Sequence, residues 1–142
     1  MELNKELIQK RFEDIRESLA RLERIRALSK EEFLGDRDLQ DLVSYRLLVA
    51  IEAAIHICFH ICAQRLHRVP ESYADCFRIL TEAEIISPEL SQNLQKMVRF
   101  RNMLIHMYWA VDYETVYEVL QTRLADLRLF MKAIGELLSG NP

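Results

Sequence analysis

Glycine and proline are scarce, three of each in 142 residues. That scarcity excludes most folds built on frequent tight turns, because small all-β domains turn on such residues roughly every 8–12 positions. Cysteine is also rare. Three residues form an odd set with no framework spacing, so free thiols in a reducing cytoplasm are expected. Positive charge is not in excess: 19 Lys and Arg against 22 Asp and Glu leave a formal charge of −3. No global field gathers nucleic acid, so any surface that binds it must be a local patch. A long unbroken apolar run is missing too. The longest apolar zone, Leu47 to Cys62, is interrupted by Glu52, His56 and His60, and reads as too short and too polar for a membrane span. The opening Met1-Glu2-Leu3-Asn4-Lys5-Glu6 lacks the apolar core of a secretion signal.

What is present favours helix. Half of the residues are hydrophobic, and Leu, Ala, Glu, Arg and Ile dominate. A chain of this length is expected to form a single domain, 1–142, with enough apolar surface for a core without disulfides. Ile8, Phe12, Ile15, Leu19 and Leu22 recur in an a/d-type seam over residues 2–28. The charges between them make a solvated face. Ser29-Lys30-Glu31-Glu32 fits a capping box that opens a short turn, and Gly35 ends it. Asp36 or Asp38 can cap a long second helix reaching about Arg68, with Leu39, Leu42, Val43, Leu47, Ala50, Ala53, Ala54 and Ile57 on its apolar face and Pro70 stopping it. Ser72 opens a third helix to about Ile86. Ser87-Pro88-Glu89 opens a fourth to about Met107. Asp112 opens a fifth running through Val116, Leu120, Leu124, Leu127, Phe130, Met131 and Ile134 to about Leu138. The expected fold is an all-α antiparallel bundle of four to five helices.

Chemistry concentrates in Arg101-Asn102-Met103-Leu104-Ile105-His106-Met107-Tyr108. Arginine is a permanent cation suited to phosphate, and histidine can both take and give a proton near neutrality. On an ideal helix, a five-residue offset turns Arg101 and His106 roughly 140° apart. Either the helix loosens near His106, or the two side chains converge from two subunits. Asn102 and His106, at i and i+4, do share a face.

Four other features compete for a role. His56 and His60 stack one turn apart, as do Cys58 and Cys62. The two pairs lie on nearly opposite faces, so they cannot build one tetrahedral site, and no metal is expected. Glu52 is a charge in an apolar stretch and needs a partner, for which Arg101, Arg46 and Arg99 are candidates. His60 is placed near a dimer seam. Arg65, His67, Arg68, Lys96 and Arg99 form either a phosphate-attracting patch or simple helix-end charges.

The run Arg101-Asn102-x3-His106-x-Tyr108, late in an all-helical chain, resembles the HEPN superfamily and, more narrowly, the HepT toxins encoded beside a minimal MNT-type nucleotidyltransferase. The segment Tyr45 to Cys62 is similar to that family's second helix, and the likeness extends from about Leu7 to Ile134. The resemblance implies a homodimeric, metal-independent endoribonuclease with no cofactor and its motif at the subunit interface. His106 would act as general acid/base, Arg101 would stabilise phosphate charge, and Asn102 would orient the phosphate or the histidine. From the residues alone, Glu52 either positions Arg101 or makes a structural ion pair, and His60 is a further supporting candidate. The resemblance also implies that Tyr108 accepts AMP from the partner nucleotidyltransferase, which would block the cleft; otherwise Tyr108 is a half-buried aromatic packed beside Trp109. The alternatives are a non-catalytic helical partner or substrate-recognition subunit of a nucleotidyltransferase, and a bundle with no active site.

Overall fold

A computed structural model describes residues 3–140. Seven α-helices and no strand occur among them: α1 (Lys5–Ile25), α2 (Lys30–Leu34), α3 (Arg37–Gln64), α4 (Tyr73–Glu82), α5 (Pro88–His106), α6 (Tyr113–Thr122) and α7 (Leu124–Leu138). A 3-10 turn, Tyr108–Ala110, joins α5 to α6. The expected start of the first helix at residue 2 lies outside the described residues. Asn4 caps α1 instead, its side chain accepting from the Leu7 amide.

All six other helices pack against α3. The seam of α1 is buried as its spacing predicts, from Ile8 through Leu22. The Asn4 amide donates to His60 Nε2 at 2.9 Å; with the start of α1 beside the end of α3, the two helices run antiparallel. By length and composition α3 is apolar enough to cross a membrane, contrary to the expectation of too short and too polar. Yet 56% of its most apolar window is buried within the protein, so its apolar residues are used by the core. Leu42, expected on the buried face, is exposed.

Local chemistry sets several of the helix ends. The Ser29 capping box forms in full, and the buried Gln40 amide donates to the Phe33 and Leu34 carbonyls at the end of α2. Phe33 is fully buried and its ring lies 5.6 Å from that of Tyr117. This short helix is therefore bolted to α3 and α6 rather than held by its own propensity.

Three boundaries differ from the sequence expectation. The third helix stops at Glu82 rather than Ile86, because Glu84 adopts a left-handed φ of 60°. The Ile85 and Glu84 amides then donate to the Leu80 and Thr81 carbonyls in a Schellman arrangement. The second helix ends at Gln64, short of Arg68, with His67 at φ 54°. Neither turn carries the glycine that would have signalled it. The expected fifth helix is two, broken at Arg123 (φ −115°, ψ −1°). There the Thr122 hydroxyl donates back to the Glu118 carbonyl at 2.8 Å, a bond that bends helices. The apolar stripe crosses the break without interruption, so periodicity could not reveal it.

The cysteine expectation also needs correction. Cys58 and Cys76 are joined as a disulfide between α3 and α4, and Cys62 alone is free. Burial pushes the Cys62 thiol up to about 11, which keeps it protonated and unreactive.

Two outcomes test this packing. Phe33→Ala is expected to cost about 3–5 kcal/mol in urea unfolding; a loss under about 1 kcal/mol would show that α2 is not anchored by this ring. Asp126 is buried, with one carboxylate oxygen free of hydrogen bonds and 3.9 Å from the Arg123 guanidinium, and burial pushes its carboxyl up despite Arg123 and a hydrogen bond from Asn93. A carboxyl raised in the folded state favours the fold when protonated, and that contribution fades as pH rises through the folded value. Asp126→Asn should therefore gain stability over wild type as pH climbs from about 3 to about 7, judged against an unfolded Asp near 3.9. A difference that is flat or shrinks over that range rejects the assignment.

Candidate active site

Arg101 lies near the end of α5 and crosses to α3, where its Nε donates to Glu52 Oε1. Of the three arginines considered for Glu52, Arg101 is the one that pairs. The arginine side chain is 12% exposed and the glutamate 43%, so the cation is covered while its partner keeps contact with water. A second edge of the guanidinium is held from the next residue: Nη1 donates to Asn102 Oδ1 at 3.0 Å. The face of the guanidinium rests on Tyr73, the first residue of α4, with Cζ 4.8 Å from the ring centroid. Among the described residues Nη2 has no hydrogen-bond partner. A guanidinium fixed on two edges and one face, with one nitrogen uncommitted, is preorganised to receive an anionic oxygen.

The helix does not loosen between Arg101 and His106: α5 is continuous through both and departs from helical geometry only after His106. His106 is the last residue of α5, and Met107 departs from helical geometry at φ −128°, ψ 42°. His106 is exposed, and no hydrogen bond or ion pair engages it among the described residues. Within one chain, then, Arg101, Asn102 and Glu52 form one hydrogen-bonded group, and His106 stands outside it.

Tyr108 is not the half-buried packing residue that was the alternative expectation. It is 74% exposed and Trp109 72%, with the rings edge-to-face at 5.4 Å. Together with the exposed Met107 they form an aromatic, sulfur-bearing promontory just beyond His106.

His60 is occupied elsewhere. Its Nε2 accepts from the Asn4 amide, and burial, aided by nearby His56, holds its pKa down. It makes no hydrogen bond to Arg101, Asn102 or His106. The basic residues do not assemble either: Arg68 pairs with Glu82 at 2.6 Å, Arg65 and His67 line a groove with Lys5 at the start of α1, and Lys96 and Arg99 point to solvent along α5.

The histidine and cysteine faces of α3 are separated as their spacing requires: His56 is exposed, whereas Cys58 and Cys62 are fully buried. The sulfurs of Cys58, Cys62 and Cys76 lie within 4.8 Å of one another. They are the group with metal-ligand spacing among the described residues, but two of them are consumed by the disulfide. Sequence reasoning missed Tyr73. Its pairing with Arg101 is a contact between distant parts of the chain, and no local pattern encodes it.

This chain matches the family described as ribonuclease HepT-like over residues 15–134. It is 37% identical over 72% of its length to a Shewanella oneidensis protein named mRNA nuclease HepT, covering 77% of that protein. It is 28% identical over 93% of its length to an Aphanizomenon flos-aquae protein named tRNA nuclease HepT, covering 90% of it. Its structure superimposes on a tri-AMPylated Shewanella oneidensis HEPN toxin, solved in complex with an MNT antitoxin, with a TM-score of 0.84 and 32% identity, covering 92% of this chain and 97% of that one. The all-helical fold and these matches in sequence and structure agree: the protein belongs to the HepT-like ribonuclease family.

Proposed function

We propose that this protein is a metal-independent endoribonuclease toxin of the cytoplasm, active as a homodimer and silenced when an MNT-type nucleotidyltransferase attaches AMP to Tyr108. One observation carries the cleavage reading. Arg101 is preset by Glu52 and Asn102 with a nitrogen to spare, and five residues on, an uncommitted histidine ends the same helix. The relatives' names support RNA as the substrate class.

The chemistry needs no redox partner. A 2′-hydroxyl attacks the adjacent phosphorus while one His106 takes its proton. The bond from phosphorus to the 5′-oxygen breaks, and a second imidazole returns a proton to that oxygen. The products are a 2′,3′-cyclic phosphate and a 5′-hydroxyl, and the 2′-hydroxyl requirement excludes DNA. Arg101 Nη2 meets the charge that grows on the non-bridging oxygens.

Two copies supply two His106 imidazoles, where one chain supplies one. The exposed side of α3 favours such pairing: Leu42 and Tyr45 are exposed and Leu48 and Val49 half-covered, on the approach to Glu52. Exposure of the Tyr108 phenol suits it to attack an ATP α-phosphate, leaving AMP on the ring oxygen and releasing pyrophosphate. The added phosphate and base would stand beside His106 and repel RNA. The AMP-bearing toxin among the solved relatives supports this arm.

His106→Ala is expected to lower RNA cleavage in metal-free buffer by about 10²–10⁴-fold and to abolish toxicity on expression. Equal cleavage or equal toxicity would overturn the catalytic assignment, and tight transferase binding with no cleavage by wild type would favour the non-catalytic partner. Tyr108→Phe should cleave RNA as wild type does but gain no AMP mass after incubation with the cognate transferase and ATP. Adducts that persist on the variant would move the modification elsewhere.

A further inference from the structure

A guanidinium has two edges that can be tied by hydrogen bonds and two faces that cannot. Glu52 and Asn102 account for the edges of Arg101, leaving it free to tilt about the axis they define. Tyr73 removes that freedom, because its ring lies under the cationic carbon at 4.8 Å. We infer that Tyr73 is a positioning residue for Arg101, setting the tilt of the guanidinium toward the scissile phosphate; the inference rests on the ribonuclease function proposed above.

The ring is itself held in place. Ser72 caps α4, its side chain accepting from the Asp75 amide, and so fixes the backbone at Tyr73. Phe59 of α3 meets the Tyr73 ring edge-to-face at 5.6 Å and 87°. One turn further along α4, Cys76 is joined to Cys58, the neighbour of Phe59. Two adjacent residues of α3 thus hold the first turn of α4 at two points, which keeps the Tyr73 ring beside Arg101. Its hydroxyl has no hydrogen-bond partner among the described residues. The ring face is therefore the working part, and the phenol oxygen is dispensable.

Arg101 consequently stands on three helices: Glu52 from α3, Tyr73 from α4, and its own α5 with Asn102. A cation supported in this way meets the extra transition-state charge without first reorganising. Loss of the ring should then show mainly in kcat, with KM little changed, because ground-state RNA is held by phosphates along its whole length.

The test compares Tyr73→Phe, which keeps the π face, with Tyr73→Leu and with Tyr73→Met, which fills the space without one. Each variant is measured for cleavage and for the side-chain Nε–Hε NMR signal of Arg101, assigned by its disappearance in Arg101→Lys. Wild type and Tyr73→Phe should share an upfield, ring-shifted Arg101 signal and agree in kcat within about twofold. Leu and Met should lose the shift and about tenfold in kcat, the scale of one cation–π contact plus the tilt it prevents. The inference is overturned if Leu or Met leaves the Arg101 signal and kcat unchanged, or if Phe is as damaged as Leu. If wild-type protein cleaves no RNA, the ribonuclease function fails by itself, and the NMR comparison still decides whether Tyr73 orients Arg101.

Discussion

A guanidinium on the inner side of an apolar helix must be neutralised where it lies, and Glu52 does this for Arg101. Left unpaired, the covered guanidinium would be costly to hold away from water, whereas Glu52 keeps part of its hydration. Paired, they let α5 lie against α3 with Leu94, Met97, Val98 and Phe100 in the core. The same bond consumes Nε, so the cation presents its remaining face and nitrogen in a defined direction. Docking of the helix and aiming of the arginine are one event.

Much else follows from α5 ending where it does. Continued for two more turns, it would have carried Tyr108 and Trp109 around the helix and onto its packed side. Because Met107 leaves helical geometry, a short 3-10 turn carries both aromatics outward, and they contribute nothing buried. The core is closed by other groups, notably Phe33, Phe77 and Phe130, so chemistry at the promontory does not draw on the stability of the bundle. A phenol so placed can carry a large adduct without unfolding anything.

The bundle was legible in the sequence because its signals are local. Ser29, Ser72, Ser87 and Asp112 each announce a helix start by offering an oxygen to a backbone amide two or three residues on, and all four do so in the structure. The α1 seam and the stripe from Val116 to Ile134 are visible as periodicity. What escaped depends on single dihedrals or on distant pairs. Glu84 and His67 turn left-handed without glycine, and Arg123 breaks a helix through an apolar stripe that never falters. Cys58 finds Cys76, and Tyr73 finds Arg101, across separations no spacing rule covers. At the site, Arg101, Asn102 and His106 were identifiable by residue type. Glu52 was named with three possible partners, and only the packing of α5 on α3 selected one. His60, offered as a supporting group, ties down the start of α1 instead.

These ties share a backbone. Gln40, Glu52, Cys58 and His60 all project from α3, and through them that helix secures α2, α5, α4 and α1 in turn. They are points on one rigid rod of 28 residues, and each successive residue turns roughly 100° about its axis. Adding or removing one residue between Gln40 and His60 would therefore rotate every fastening on one side of the change away from its mate at once. The length of α3 is therefore fixed by its fastenings, and its residue count is as much a functional specification as the identity of its side chains.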